Sequence, residues 1–358
     1  MKKLCRNTML ILGIVMLNCS FLNSSEYTKE ASYPFIGADM QWVDSVFNTM
    51  TLDEKIGQLF MVAAYSDPKQ DNEEAVKKLI TESHIGGVIF FKGSPIRQAQ
   101  MTNTFQSLAK IPLSVAIDGE WGLAMRLDST IAFPRQLQLG AIDKKNEYLI
   151  EEMGREVGRE CERIGIHINF APVVDINNNP QNPVINTRSF GEEKENVARK
   201  SLLYMKGMQS HYILTTAKHF PGHGNTASDS HYTLPLIKGT KDEIDKFELY
   251  PFKQLIKNDL TGVMFAHLNV PSMEKTKNLP STLSRKIVTE KLRDEMNFQG
   301  LIFTDALNMK AVVNAFPAGE GMQFKFHPVF LIIAGVVTFI FCMKNRMKNR
   351  EKTTTEKT

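Results

Sequence analysis

Chemistry concentrates in one stretch, Lys218-His219-Phe220-Pro221-Gly222-His223-Gly224-Asn225-Thr226-Ala227-Ser228-Asp229-Ser230-His231. His219 and His223 have the spacing of a helical zinc pair, but Pro221, Gly222 and Gly224 forbid that helix and no glutamate lies between the two. No metal is expected, and a purely structural loop would not need a lysine and three histidines at a strand end. Sugar binding and proton transfer fit these residue types better. A histidine titrates near pH 6.5, close to most operating conditions, and a neighbouring carboxylate orients it and stabilises its charged form. Asp229, two residues before His231, suits that task. A second carboxylate, Asp305 in Phe303-Thr304-Asp305-Ala306-Leu307-Asn308-Met309, closes an apolar run. It either attacks a substrate or caps the turn that follows.

These groups need a scaffold that brings distant strand ends together. Between its termini the chain repeats a short β-branched apolar run, a polar turn and an amphipathic stretch, the pattern of a parallel sheet wrapped by helices. The pattern predicts strands at Ile56–Ala64, Gly87–Phe91, Leu113–Asp118, Ile168–Ile176, Ile213–His219, Gly262–His267 and Gly300–Asp305. It predicts helices at Asn72–Ser83, Ile96–Ala109, Lys144–Ile164, Glu193–Ser210, Lys241–Asn258 and Ser284–Met296. Asp118, Asp175, Lys218, His219, His267 and Asp305 then fall at or near strand C-terminal ends, where the functional groups of a (β/α)8 barrel gather. An open doubly wound sheet would need a glycine-rich phosphate turn, and none is present. The fold class expected is therefore α/β, of the TIM (β/α)8 type. Asn177-Asn178-Asn179-Pro180-Gln181-Asn182-Pro183 reads as an ordered barrel loop.

The termini differ in character from this body. The formal net charge is +4, yet Lys344, Arg346, Lys348, Arg350, Lys352 and Lys357 outweigh Glu351 and Glu356 by that amount within the tail alone. No basic surface is left to argue for nucleic acid, so none is expected as a partner. Met1–Arg6 followed by the apolar Met9–Leu17 reads as a signal peptide within residues 1–25, and Cys19 leaves lipidation open. Phe326–Met343 reads as a transmembrane helix and 344–358 as a basic cytoplasmic tail, which gives an exported, membrane-anchored protein. Only Cys161 lies within the folded body, where an internal disulfide is impossible and a packing role is expected.

The segment Lys218–His231, with Asp305 in its strand-end context, resembles glycoside hydrolase family 3 in its β-N-acetylhexosaminidase (β-N-acetylglucosaminidase) branch, over about Leu52–Met309. The resemblance implies a retaining exo-glycosidase with Asp305 as nucleophile, His231 as acid/base and Asp229 as its partner. It implies sugar contacts by Asp118 and Arg126 in Ile117-Asp118-Gly119-Glu120-Trp121-Gly122-Leu123-Ala124-Met125-Arg126, by Arg188 in Asn186-Thr187-Arg188-Ser189-Phe190-Gly191, and by Lys218 and His219. No cofactor is implied; the partner is an N-acetylglucosamine-containing glycan such as a peptidoglycan fragment. Trp121 stands where many relatives have glycine, either narrowing the mouth, offering a stacking platform or packing under its loop. Family β-glucosidase or phosphorylase activity is the other enzymatic reading. Too little chain follows Asp305 to complete a barrel, so residues 40–320 are expected to form one that stops before its eighth strand, with unpaired edges at the first and seventh. An inactive membrane-anchored remnant is the non-enzymatic reading.

Overall fold

The structure, a computed structural model, describes residues 41–228, 233–314 and 331–333. Seven parallel strands curl into a half-barrel: β1 (Phe60–Ser66), β2 (Gly87–Gly93), β3 (Ser114–Ile117), β4 (Ile168–Asn169), β5 (Leu214–Phe220), β6 (Gly262–Phe265) and β7 (Leu301–Thr304). Each pairs with the next in chain order. A short β8 (Leu331–Ile333) runs antiparallel to β1.

Alternation along the strands explains both cores and the position of the functional groups. Met61 and Ala63 of β1, Ile89 of β2, Ala116 of β3, Met264 of β6 and Leu301 and Phe303 of β7 form one buried cluster inside the curl. Their neighbours Val62, Ala64, Val88, Phe90, Val115 and Ile117 face the other way, into the core shared with helices. Since successive side chains point to opposite faces, the residue two beyond an inward one also points inward. Two beyond Ala116 is Asp118, and two beyond Phe303 is Asp305.

Several expected boundaries shift for local reasons. Ile56 and Gly57 belong to the helix Leu52–Gly57, not to β1, because Thr51 and Glu54 form a reciprocal capping box, with Thr51 N donating to Glu54 Oε2 at 2.7 Å. The expected strand Ile168–Ile176 shortens to Ile168–Asn169: Pro172 has no N–H to donate, and beyond it the regular ladder is reduced to a single bridge at Val173, opposite Lys218. Lys241–Asn258 divides into helices Lys241–Lys246 and Tyr250–Ile256, because Pro251 can occupy the first turn of a helix but not its interior. Lys286–Glu295 winds as a π-helix, with Met296 N reaching Lys291 O at 3.0 Å.

The expected transmembrane helix, Phe326–Met343, lies outside the described residues except at Leu331–Ile333, and there the chain is a strand rather than a helix. No helix among the described residues is long and apolar enough to cross a membrane. The expectation of an unpaired β1 edge is corrected as well. β8 satisfies part of the outer N–H and C=O row that an open sheet would leave free. The expected signal peptide and basic tail lie outside the described residues.

Candidate active site

At the C-terminal ends of the strands lies a cleft of about 610 Å³, and Asp118, Arg126, Arg188, Lys218, His219 and Asp305 all line it. Six of the eight residues implied by the resemblance thus share one site. Asp229 and His231 lie outside the described residues.

The loop after β3 is fixed before it reaches the cleft. Asn169 Oδ1 accepts from Gly119 N at 2.8 Å, and Tyr204 Oη donates to Gly119 O at 3.0 Å. On that footing Asp118 takes Lys218 Nζ on one oxygen at 2.8 Å and an Arg126 terminal nitrogen on the other at 2.6 Å. Glu120 takes the same Lys218 at 2.8 Å and a bidentate fork from Arg188, at 2.9 and 2.6 Å. Burial alone would raise both carboxyls, but the cations outweigh it. Lys218 and Arg126 hold Asp118 down at about 2, and Arg188 and Lys218 hold Glu120 well below the carboxylate range.

A second fixed point lies behind the cleft. Asp175 is buried and accepts from His219 N at 3.1 Å, His219 Nδ1 at 2.7 Å and His223 N at 2.7 Å. With Nδ1 donating to Asp175, Nε2 of His219 accepts from an Arg188 terminal nitrogen at 3.3 Å, so the carboxylate sets the tautomer. Gly222 has φ +128°, and a Cβ on Gly224 would stand 1.7 Å from Ile176 O. Both glycines of this turn are therefore dictated by geometry. Asn182 of the asparagine-rich loop locks the turn, donating to His223 O at 2.8 Å and Gly224 O at 3.0 Å. His223 sits at the cleft wall, and burial with His219 beside it lowers its imidazole to about 4, so it is uncharged at neutral pH.

Asp305 is held differently. Its Oδ1 accepts from Ala306 N at 2.8 Å, and its own N–H reaches Phe265 O at 2.8 Å. His267 Nε2 donates to Ala306 O at 3.0 Å and so holds the residue whose N–H bonds the carboxylate. Burial raises the Asp305 carboxyl, but the His267 and His219 imidazoles and the Ala306 N–H outweigh it and lower it below the ordinary value.

Glu120, Asp175 and His223 join the site without having been assigned roles from the sequence. The signal available for Asp175 was its expected strand-end position; Glu120 shares the inward parity of Asp118 two residues earlier. Trp121 accepts from Phe133 N through its carbonyl at 3.1 Å and carries the Arg135 guanidinium 4.2 Å above its ring. Cys161 is buried, which pushes its thiol far up, in keeping with a packing residue. Among the described residues no cluster of three metal-ligating side chains occurs.

Fold and site together define a parallel α/β half-barrel with an ion-paired polar cleft at the C-terminal ends of its strands. Within that class the chain belongs to glycosyl hydrolase family 3: residues 51–323 match the family's N-terminal domain. The chain is similar to beta-hexosaminidase A of Pseudoalteromonas piscicida, 36% identical over 262 residues, 67% of this chain and 44% of that protein. It is 33% identical over 238 residues to the beta-hexosaminidase of Nitrosomonas eutropha, covering 64% of this chain and 67% of that one. Among solved structures, a family 3 β-N-acetylglucosaminidase from a Paenibacillus species superposes with TM-score 0.70 at 37% identity, covering 76% of this chain and 52% of that one. A β-glucoside phosphorylase superposes with TM-score 0.73 at 26% identity, covering 78% and 51%. The chain thus spans about half the length of several of the relatives it matches.

Proposed function

We propose that this chain is a retaining exo-glycosidase that releases terminal β-linked N-acetylglucosamine, as from peptidoglycan fragments. The observation that supports it most is the arrangement of one cleft in which Asp305 is spared by the cations while Asp118, Arg126, Arg188, Lys218 and His219 form a hydrogen-bonded wall. In this reading Asp118 accepts from two sugar hydroxyls, and Arg126, Arg188 and Lys218 donate to hydroxyls and to the acetamido carbonyl. Asp305 attacks the anomeric carbon and the glycosidic bond breaks, with His231 giving the departing oxygen its proton. The glycosyl-Asp305 ester is then hydrolysed by a water whose proton His231 takes back, while Asp229 stabilises the imidazolium. A slow fluorinated N-acetylglucosaminide followed by mass spectrometry tests this: the adduct is expected on Asp305, and an adduct on any other residue removes the assignment.

Likeness to a β-glucoside phosphorylase supports a second reading, transfer to phosphate. A histidine acid/base adds no negative charge to repel that acceptor. Assaying β-N-acetylglucosaminide and β-glucoside with and without phosphate separates the readings, since only phosphorolysis yields sugar 1-phosphate. The charged-then-apolar start, Met1–Leu17, supports export of the chain. Recovery of unprocessed protein from the cytoplasmic fraction would count against it.

A further inference from the structure

Glu248 is a buried acid to which the mechanism gives no task. It occupies the corner between helices Lys241–Lys246 and Tyr250–Ile256, 6% exposed, with its side chain laid flat on Gly222. A Cβ on Gly222 would stand 2.8 Å from Glu248 Cβ and 3.0 Å from Oε2. That contact and the φ of +128° are two independent reasons for glycine at this position. Oε2 is buried and has no hydrogen-bond partner.

The groups around it decide its charge. From the loop after β4 it faces Asp175, which is ionised, and the neutral side chain of Asn178. From the turn after β5 it meets Gly222, while the His219 ring and the His223 backbone N–H bond Asp175 and the His223 ring bonds Thr226. From its own corner, Asp245 is engaged by Lys253 and Lys291, and Lys246 pairs with Asp242 at the surface. No cation is turned toward Glu248 among these neighbours. A carboxylate there would be a buried charge, unpartnered at Oε2, beside a second carboxylate, which is costly. Burial first, and Asp175 second, push its carboxyl up to about 8.

We propose that Glu248 is a positioning residue for the site: it seats Gly222, and the turn bearing His219 and His223 keeps its working geometry only while Glu248 carries its proton. A sugar bound by His219, as read above, would feel the loss, so the functional consequence rests on that reading. The positioning itself does not.

The test compares the full chain with Glu248→Gln, which keeps the shape and cannot ionise. A folded-state value raised from 4.5 to about 8 means that the unfolded chain releases this proton first. The resulting stability is present below about pH 4.5, declines as pH rises toward 8 and is level beyond. Between pH 5 and 8.5 the Tm of Glu248→Gln should therefore gain on that of the natural chain by at least about 3 °C. In protein labelled with 15N-histidine, ring signals of His219 and His223 should move through a transition near pH 8 in the natural chain and not in the variant. Parallel Tm curves would overturn the proposal. So would a Tm gap with identical histidine titrations, because the acid would then be buried without holding the turn. Absence of turnover on every glycoside would overturn the proposed function and leave both readouts standing.

Discussion

Glu120 and Asp305 line the same cleft, yet Glu120 is gripped by Arg188 through two bonds and by Lys218 through a third, whereas Asp305 takes one backbone N–H. Among the described residues no lysine or arginine lies within ion-pair distance of Asp305. Glu120 and Asp118 are thereby locked as acceptors with little basicity left, and they hold three cations in fixed positions. Asp305 keeps lone pairs unspent while its backbone is fixed by Phe265 O and, through Ala306, by His267. One corner commits its carboxylates to order and the other leaves one unpaired, the arrangement that the proposed nucleophile role of Asp305 requires.

The difference is broken most directly at Asp305. Replacing it with Asn should lower kcat/KM on an N-acetylglucosaminide by on the order of 10⁴-fold or more, as removal of a covalent nucleophile does. Tm should barely move, since a single backbone bond is involved. A comparable Tm loss would show that Asp305 is structural. At Glu120 stability should respond instead: Glu120→Ala leaves the Arg188 guanidinium without its carboxylate and Lys218 with Asp118 alone, and should cost about 3–5 kcal/mol in denaturant unfolding. Glu120→Gln, which still accepts, should cost less.

Two smaller effects sharpen the contrast. His231→Ala should spare activated aryl glycosides and slow substrates with poor leaving groups, a gap of about 10²-fold or more between the two classes. Equal losses would remove His231 from the acid role. The last concerns acid stability. Asp118 titrates at about 2 in the folded chain against an ordinary 3.8, so its contribution is complete above roughly pH 4 and is lost as pH falls toward 2. Unfolding measured at pH 5 and pH 2.5 should show a drop in the natural chain that is smaller by about 2 kcal/mol in Asp118→Asn.

What could be read from the sequence follows the range of the interaction involved. Seven strands and the strand-end carboxylates were legible because a β-branched apolar run closed by a charged residue is a local property, as at Leu113–Asp118 and Gly300–Asp305. The Pro, Gly and His pattern of residues 218–224 was legible because it excludes a helix. Glu120 was not assigned, since nothing local separates a solvated glutamate from one paired with Arg188 far along the chain. Glu248 was hidden in what read as one long amphipathic helix, although Pro251 was the available sign of a break. Its burial arises from Gly222 and Asp175, both remote in sequence.

The ion pairing of the cleft also bears on how a substrate arrives. Among the described residues, Asp118, Glu120 and Asp305 at the wall, with Asp175 behind it, balance Arg126, Arg188, Lys218 and Lys310. These charges cancel in number, and an uncharged saccharide is neither drawn in nor turned away by what field is left. Encounter then proceeds by unassisted diffusion, and the second-order rate constant for capture should be indifferent to added salt, because there is no long-range attraction for ions to screen.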